Sequence, residues 1–121
     1  MELNEYQRKA MSTCTRSSAN FAYMFLNLVG EVGEFSSKIA KAIRKERAAI
    51  KSNDLSIYID SLQTVGDWEN ETKKELGDIL WQLAGVCDIM GWHLEDIAQM
   101  NLDKLASRAD RGVIIGEGDN R

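Results

Sequence analysis

The chain has 121 residues, 44% of them hydrophobic and 28% charged, with no proline and a formal charge of −4. That length supports one domain with a real core and few residues to spare, and the absence of proline points to a helical protein. The negative charge argues against binding a nucleic-acid polymer while leaving open a single nucleotide held through a metal.

No apolar run approaches the ~20 residues of a membrane span. Met1-Glu2-Leu3-Asn4-Glu5 lacks the basic-then-apolar pattern of a signal peptide, so a cytoplasmic protein without membrane contact is expected. Cys14 and Cys87 have neither metal-ligand nor redox spacing and read as packed thiols rather than a disulfide.

Leu3 to about Thr13 carries good helix formers and a partial apolar stripe of Leu3, Tyr6, Ala10 and Met11, ended by Ser12-Thr13-Cys14-Thr15. A second helix is expected from about Asn20, with Ser17, Ser18 or Asn20 as its cap, running towards Lys51. Within it Phe21, Phe25, Leu28, Val32, Phe35, Ile39 and Ile43 recur at steps of three and four and gather into one stripe expected to be a buried seam. Its solvent side turns basic from Lys38 onward, which favours the helix C-terminus.

Asn53-Asp54 marks a turn, and Leu55 to Leu62 reads as a short helix or a packed loop. A third helix is expected from an Asp67 cap to about Met90, with Leu76, Ile79, Leu80, Leu83, Cys87 and Met90 as its stripe. Gly91 closes it. A fourth helix then runs from Trp92 to about Ala109, with Leu94, Ile97, Ala98, Asn101, Leu102 and Leu105 inward. The fold class is therefore all-α, a four-helix bundle over residues 1–110, followed by a glycine-rich extended arm, 111–121.

The chemistry lies in Gly30-Glu31-Val32-Gly33-Glu34 and Glu75-Leu76-Gly77-Asp78. A spacing of three puts each carboxylate pair on one helix face, and both pairs lie at the margin of an apolar stripe, where desolvation needs a compensating cation or hydrogen bonds. The midpoint between the pairs falls near Asp54, so an antiparallel helical hairpin folding back there brings them level. Four carboxylates without a neutral ligand suit Mg²⁺ shared with a polyphosphate. Lys38, one turn beyond Glu34, and Lys104 and Arg108, on one face with Asn101, are cations for the phosphates.

A di-iron bundle needs Glu-x-x-His on two helices, and the single histidine, His93, lies in neither acidic stretch. His93 reads as a helix-start or surface residue. No Ser-His-Asp or Cys-His arrangement and no phosphate loop is present. Trp81 stands outside the stripe of its helix, one turn after Asp78, placed to stack on a base or to fill a subunit interface.

Glu31-x-x-Glu34, Glu75-x-x-Asp78 and Asn101-x-x-Lys104-Leu105-x-x-Arg108, with Asn4-Glu5-Tyr6-Gln7 and Glu75-Leu76-Gly77-Asp78-Ile79-Leu80-Trp81, resemble the MazG-like all-α nucleoside triphosphate pyrophosphohydrolases over nearly the whole chain. The resemblance implies a helical bundle assembled as a homodimer or homotetramer, with sites at or near the subunit interface. It implies hydrolysis of ribo- or deoxyribonucleoside triphosphates to the monophosphate and pyrophosphate by metal-activated water, with Mg²⁺, or Mn²⁺ in its place. By position, Glu31, Glu34, Glu75 and Asp78 would be catalytic metal ligands. Lys38, Lys104 and Arg108 would meet phosphate oxygens, and Asn101 sugar or phosphate. The chain departs from the pattern in a longer interval from Glu34 to Glu75 and in Gly30, where many members carry another acid. A non-catalytic nucleotide sensor and a helical interaction module remain open as alternative functions.

Overall fold

The computed structural model describes residues 1–46, 48–51, 54–57 and 65–118. Its helices are α1 (Leu3–Met11), α2 (Phe21–Arg44), α3 (Val65–Ile89) and α4 (Leu94–Asp110), with a 3₁₀ turn at Arg16–Ser18. The architecture is the expected all-α one. One short antiparallel hairpin, β1 (Ala48–Lys51) and β2 (Asp54–Ile57), is added to it, pairing Ala48 with Ile57 and Lys51 with Asp54.

Helix α1 stops where hydroxyls take its last carbonyls: Thr13 donates from Oγ1 to Ala10 at 2.6 Å, and Ser12 donates to Lys9. Of the three candidate caps for α2, Asn20 does the work, its side chain accepting the Tyr23 N–H at 2.9 Å. Ser17 and Ser18 belong to the preceding 3₁₀ turn.

Helix α2 ends at Arg44, seven residues short of the expected Lys51. Glu46 turns the chain with a φ of 58°, in the left-handed region where a glycine would be usual, and the next described residues pair as a strand. Ala48 and Ala49 are good helix formers, but cross-strand pairing prevails over local preference here. Of the segment expected as helix or loop, Leu55 to Ile57 is strand, while 58–62 and the turn residue Asn53 lie outside the described residues.

Helix α3 begins at Val65, so Asp67 sits in the first turn, favourable beside the helix dipole, and is not the cap. Its C-terminus is a Schellman turn on Gly91 (φ 71°), with Trp92 N–H donating to Cys87 at 2.8 Å and Gly91 N–H to Asp88 at 3.1 Å. Gly112 (φ 70°) closes α4 the same way, through Val113 N–H to Arg108 at 2.9 Å. Beyond it the chain to Gly118 runs in turns without regular structure.

Helices α2 and α3 pack antiparallel. Met24 meets Gly85, Glu31 meets Asp78 and Lys38 meets Glu71, pairs symmetric about the Asp54–Leu55 bond as the spacing predicts. The approach at Gly85 is close: a Cβ there would clash with the sulfur of Met24, which is fully buried. Helix α1 packs on α3 and α4, and a small core of Ala84, Cys87 and Leu94 is covered by Leu3, Tyr6 and Met11.

The expected inward stripes are displaced. Met24 and Ala42 of α2 are buried and Leu28, Glu31, Phe35 and Ile39 half-buried, whereas Phe21 and Phe25, stacked with centroids 5.7 Å apart, and Val32 and Ile43 remain exposed. Leu76, Leu80 and Leu83 of α3 are exposed as well. On α4 only Leu94 and Arg108 are buried, and the expected inward residues Ile97, Leu102 and Leu105 face outward. Helical periodicity groups residues on a face, but it does not say whether that face is covered by the same chain.

Candidate metal centre

Helices α2 and α3 each bring one turn of acidic sequence to their shared face. Glu31, Glu75 and Asp78 each offer a carboxylate oxygen, and the three oxygens lie within 4.8 Å of one another. Glu31 is half-buried and the Glu75 side chain is 18% exposed, whereas Asp78 lies at the open edge. Burial, with the charges of Asp78, Glu75 and Glu34 added, pushes the Glu31 carboxyl above its ordinary range. Asn27, one turn earlier on α2, opposes this by donating to Glu31 Oε1 at 3.4 Å.

Glu34, expected as a fourth ligand, is exposed on the outer side of α2 and is not among the three convergent carboxylates, although its charge reaches Glu31. Lys38 is at the site, but its ammonium lies 3.6 Å from Glu75 Oε1 and 3.6 Å from Glu71 Oε2. Asn101 and Lys104 are exposed on α4, where they share a depression with Ile97 and Met100 that contains none of the carboxylates. Arg108 is 5% exposed and donates from Nη2 to the Gly118 carbonyl at 3.3 Å, so it ties the C-terminal segment to α4.

Sequence reasoning missed Asn27, which its i, i+4 spacing from Glu31 signals. It also missed Glu71, the partner of Lys38, and Tyr6, whose hydroxyl is pushed up by burial and by the charge of Asp78. The charge of Asp78 thus reaches Tyr6 on α1, which only the tertiary fold reveals.

Trp81 is committed within the chain, its indole N–H shared between the Ala10 carbonyl at 3.1 Å and Thr13 Oγ1 at 3.0 Å. His93 occupies the cap position of α4 and is exposed. The cysteines are free, Cys87 buried with its thiol pushed up by desolvation and Cys14 half-buried. A cleft of about 670 Å³ opens at the corner of α1 and the α3–α4 turn, between Arg8, Met11, Asp88, Trp92 and His93, and holds none of the three carboxylates.

The donor set fits a hard divalent cation. It is all carboxylate oxygen, it comes from two rigid helices, and like charges crowd where Glu31 is partly desolvated. Histidine and thiolate, which softer metals prefer, are missing from the group.

The fold is thus an all-α one in which three acidic side chains from two antiparallel helices converge into a group that could hold a metal ion. The MazG nucleotide pyrophosphohydrolase domain matches residues 20–113, and the chain belongs to this family. It is 34% identical over 128 aligned positions, covering the whole of both chains, to the Gene 37 protein of Mycobacterium phage L5. No solved structure gives a significant match. Among the described residues no helix is long and apolar enough to cross a membrane.

Proposed function

We propose that the chain is a Mg²⁺-dependent nucleoside triphosphate pyrophosphohydrolase, converting a ribo- or deoxyribonucleoside triphosphate and water into the monophosphate and pyrophosphate. The observation that carries this is the convergence of Glu31, Glu75 and Asp78 within 4.8 Å, in a chain whose family is that of nucleotide pyrophosphohydrolases. Glu31, Glu75 and Asp78 would hold the cation, with Glu34 at the rim. Bound there, a divalent cation neutralises phosphate charge and makes water a better nucleophile at neutral pH.

The residues of the chain divide the remaining work. Glu31 of α2 and Glu75 and Asp78 of α3 would hold the cation from two packed helices. Asn27 orients Glu31 through its amide. Lys38, at the edge of the cluster, is the cation for phosphate oxygens. Asn101 and Lys104 on α4 offer further contacts to sugar or phosphate. Arg108, buried and bonded to Gly118, is assigned here to the C-terminal segment rather than to phosphate.

Assembly into a homodimer or homotetramer belongs to this reading. Phe21, Phe25 and Val32 of α2 and Leu76 and Leu80 of α3 stay exposed. A second copy would cover them, since large exposed apolar surface is rare on stable monomers.

The test is pyrophosphate release from a panel of ribo- and deoxyribonucleoside triphosphates, with Mg²⁺ and with EDTA, alongside light scattering for mass. Metal-dependent release from an oligomer is expected. No release from any nucleotide by a folded oligomer would replace this reading with a nucleotide sensor or interaction module.

A further inference from the structure

Lys38 holds two carboxylates at equal distance, 3.6 Å each, and they play different parts: Glu75 belongs to the convergent trio, while Glu71, one turn nearer the start of α3, does not. The Lys38 side chain is 32% exposed and Glu75 18%, whereas Glu71 is 52% exposed at the outer edge. A divalent cation in the cluster would draw on Glu75 and repel the Lys38 ammonium beside it, which weakens the Lys38–Glu75 pair. The ammonium would then shift towards Glu71.

We propose that Glu71 is a positioning residue for Lys38: it keeps the ammonium beside the cluster when a divalent cation takes Glu75, so that Lys38 is poised to meet substrate phosphate. This rests on the function proposed above and adds an order to it, with the cation at the carboxylates first and Lys38 turned to phosphate second. Held only by Glu75, Lys38 would be released to solvent at the moment it is needed, at a cost in side-chain entropy when phosphate has to recapture it. Held only by Glu71, it would leave the trio without a counter-charge before the cation arrives. The paired arrangement serves both states with one side chain.

The test follows the Lys38 side chain by NMR, its resonance assigned with Lys38→Arg, during titration with MgCl₂ alone. In the wild type the Lys38 signal should shift with the same midpoint as the Mg²⁺ binding isotherm yet remain restricted; in Glu71→Gln it should shift to the position of a mobile surface lysine. Lys38→Met should bind Mg²⁺ about twofold to fivefold more tightly, the worth of one partly exposed ion pair. Lys41→Met, which removes the same charge one turn further on, should change affinity less. For turnover, Glu71→Gln should raise KM several-fold with kcat nearly unchanged, and Glu71→Asp should restore part of the loss.

A Lys38 signal that ignores Mg²⁺ while the ion binds, or a Glu71→Gln enzyme with wild-type KM, overturns the positioning role and leaves the hydrolase reading intact. Failure of the wild type to bind Mg²⁺ at all overturns both.

Discussion

The corner where α1 meets the α3–α4 turn and the seam between α2 and α3 treat buried polar groups in opposite ways. At the corner, Gln7 is buried and uses both ends of its amide: Oε1 accepts the Leu94 N–H at 2.7 Å and Nε2 donates to the Trp92 carbonyl at 2.9 Å. It caps α4 where His93 provides no side-chain cap, and Asn4 reinforces the junction by donating to Glu95 at 2.8 Å. At the seam, three carboxylates crowd together and the partly buried Glu31 is pushed towards its neutral form. One region satisfies its polar groups and so holds the fold. The other has only Lys38 and Asn27 set against three carboxylates and so leaves its charge partly uncompensated within the chain, the condition expected where a ligand completes the balance.

Mutating the seam should therefore destroy activity and spare the fold, and mutating the corner should do the reverse. The largest effect expected is on turnover. Glu75→Gln and Asp78→Asn should each reduce kcat more than about a hundredfold, because a ligand to the cation is worth several kcal/mol of transition-state stabilisation. Far-UV circular dichroism should be unchanged. Glu34→Gln should lose less, since Glu34 stands outside the convergent trio, and an equal loss would put it among the ligands. Unfolding of the Glu75 and Asp78 variants would make the carboxylates structural and erase the contrast between the two regions.

Next in size is the corner. Gln7→Ala should cost about 2–3 kcal/mol, because it strands a buried N–H at the start of α4 as well as removing two hydrogen bonds. Trp81→Phe removes the N–H shared by Ala10 and Thr13 together with the pyrrole half of the indole, so about 1–2 kcal/mol is expected. Urea midpoints measure both, and activity per folded molecule should stay near that of the wild type. A selective loss of turnover in Gln7→Ala at full stability would show that the two regions are coupled.

How much of this was legible depended on whether the signal was local. A cap among Ser17, Ser18 and Asn20, the Gly91 stop and the level pairing of the acidic stretches follow from residue types and spacing, and the structure has all three, with Asn20 as the cap. The end of α2 does not follow, because its turn rests on Glu46 in a conformation that no glycine or asparagine announces, and because Ala48 and Ala49 favour a helix over the strand they form. Gln7 was invisible as a cap because its partners lie more than eighty residues away.

The displaced stripes have a different cause. In α2 the apolar face and the face turned to α3 lie side by side, and periodicity cannot choose between two neighbouring faces when one of them carries Glu31. For the same reason Glu31 and Glu34, three apart and adjacent on the helix, were treated alike until packing separated them.

The smallest expected effect tests the electrostatics of the seam directly. Glu31 has a carboxyl raised in the folded chain, chiefly by burial and then by Asp78 and Glu75, so over that range the folded state binds more protons than the unfolded one. By linkage its contribution to stability declines as pH rises from the ordinary carboxylate range through the raised value. Without divalent cations, Glu31→Gln lacks this term and should melt above the wild type at neutral pH, with the gap closing as pH falls and Glu31 protonates. Adding Mg²⁺ should reverse the order, because the ionised carboxylate then has its partner and the amide does not. Melting curves of both proteins from pH 5 to 8, with EDTA and with MgCl₂, would read the effect. Parallel curves in EDTA would mean that Glu31 is already compensated within the chain, and the seam would no longer differ in kind from the corner.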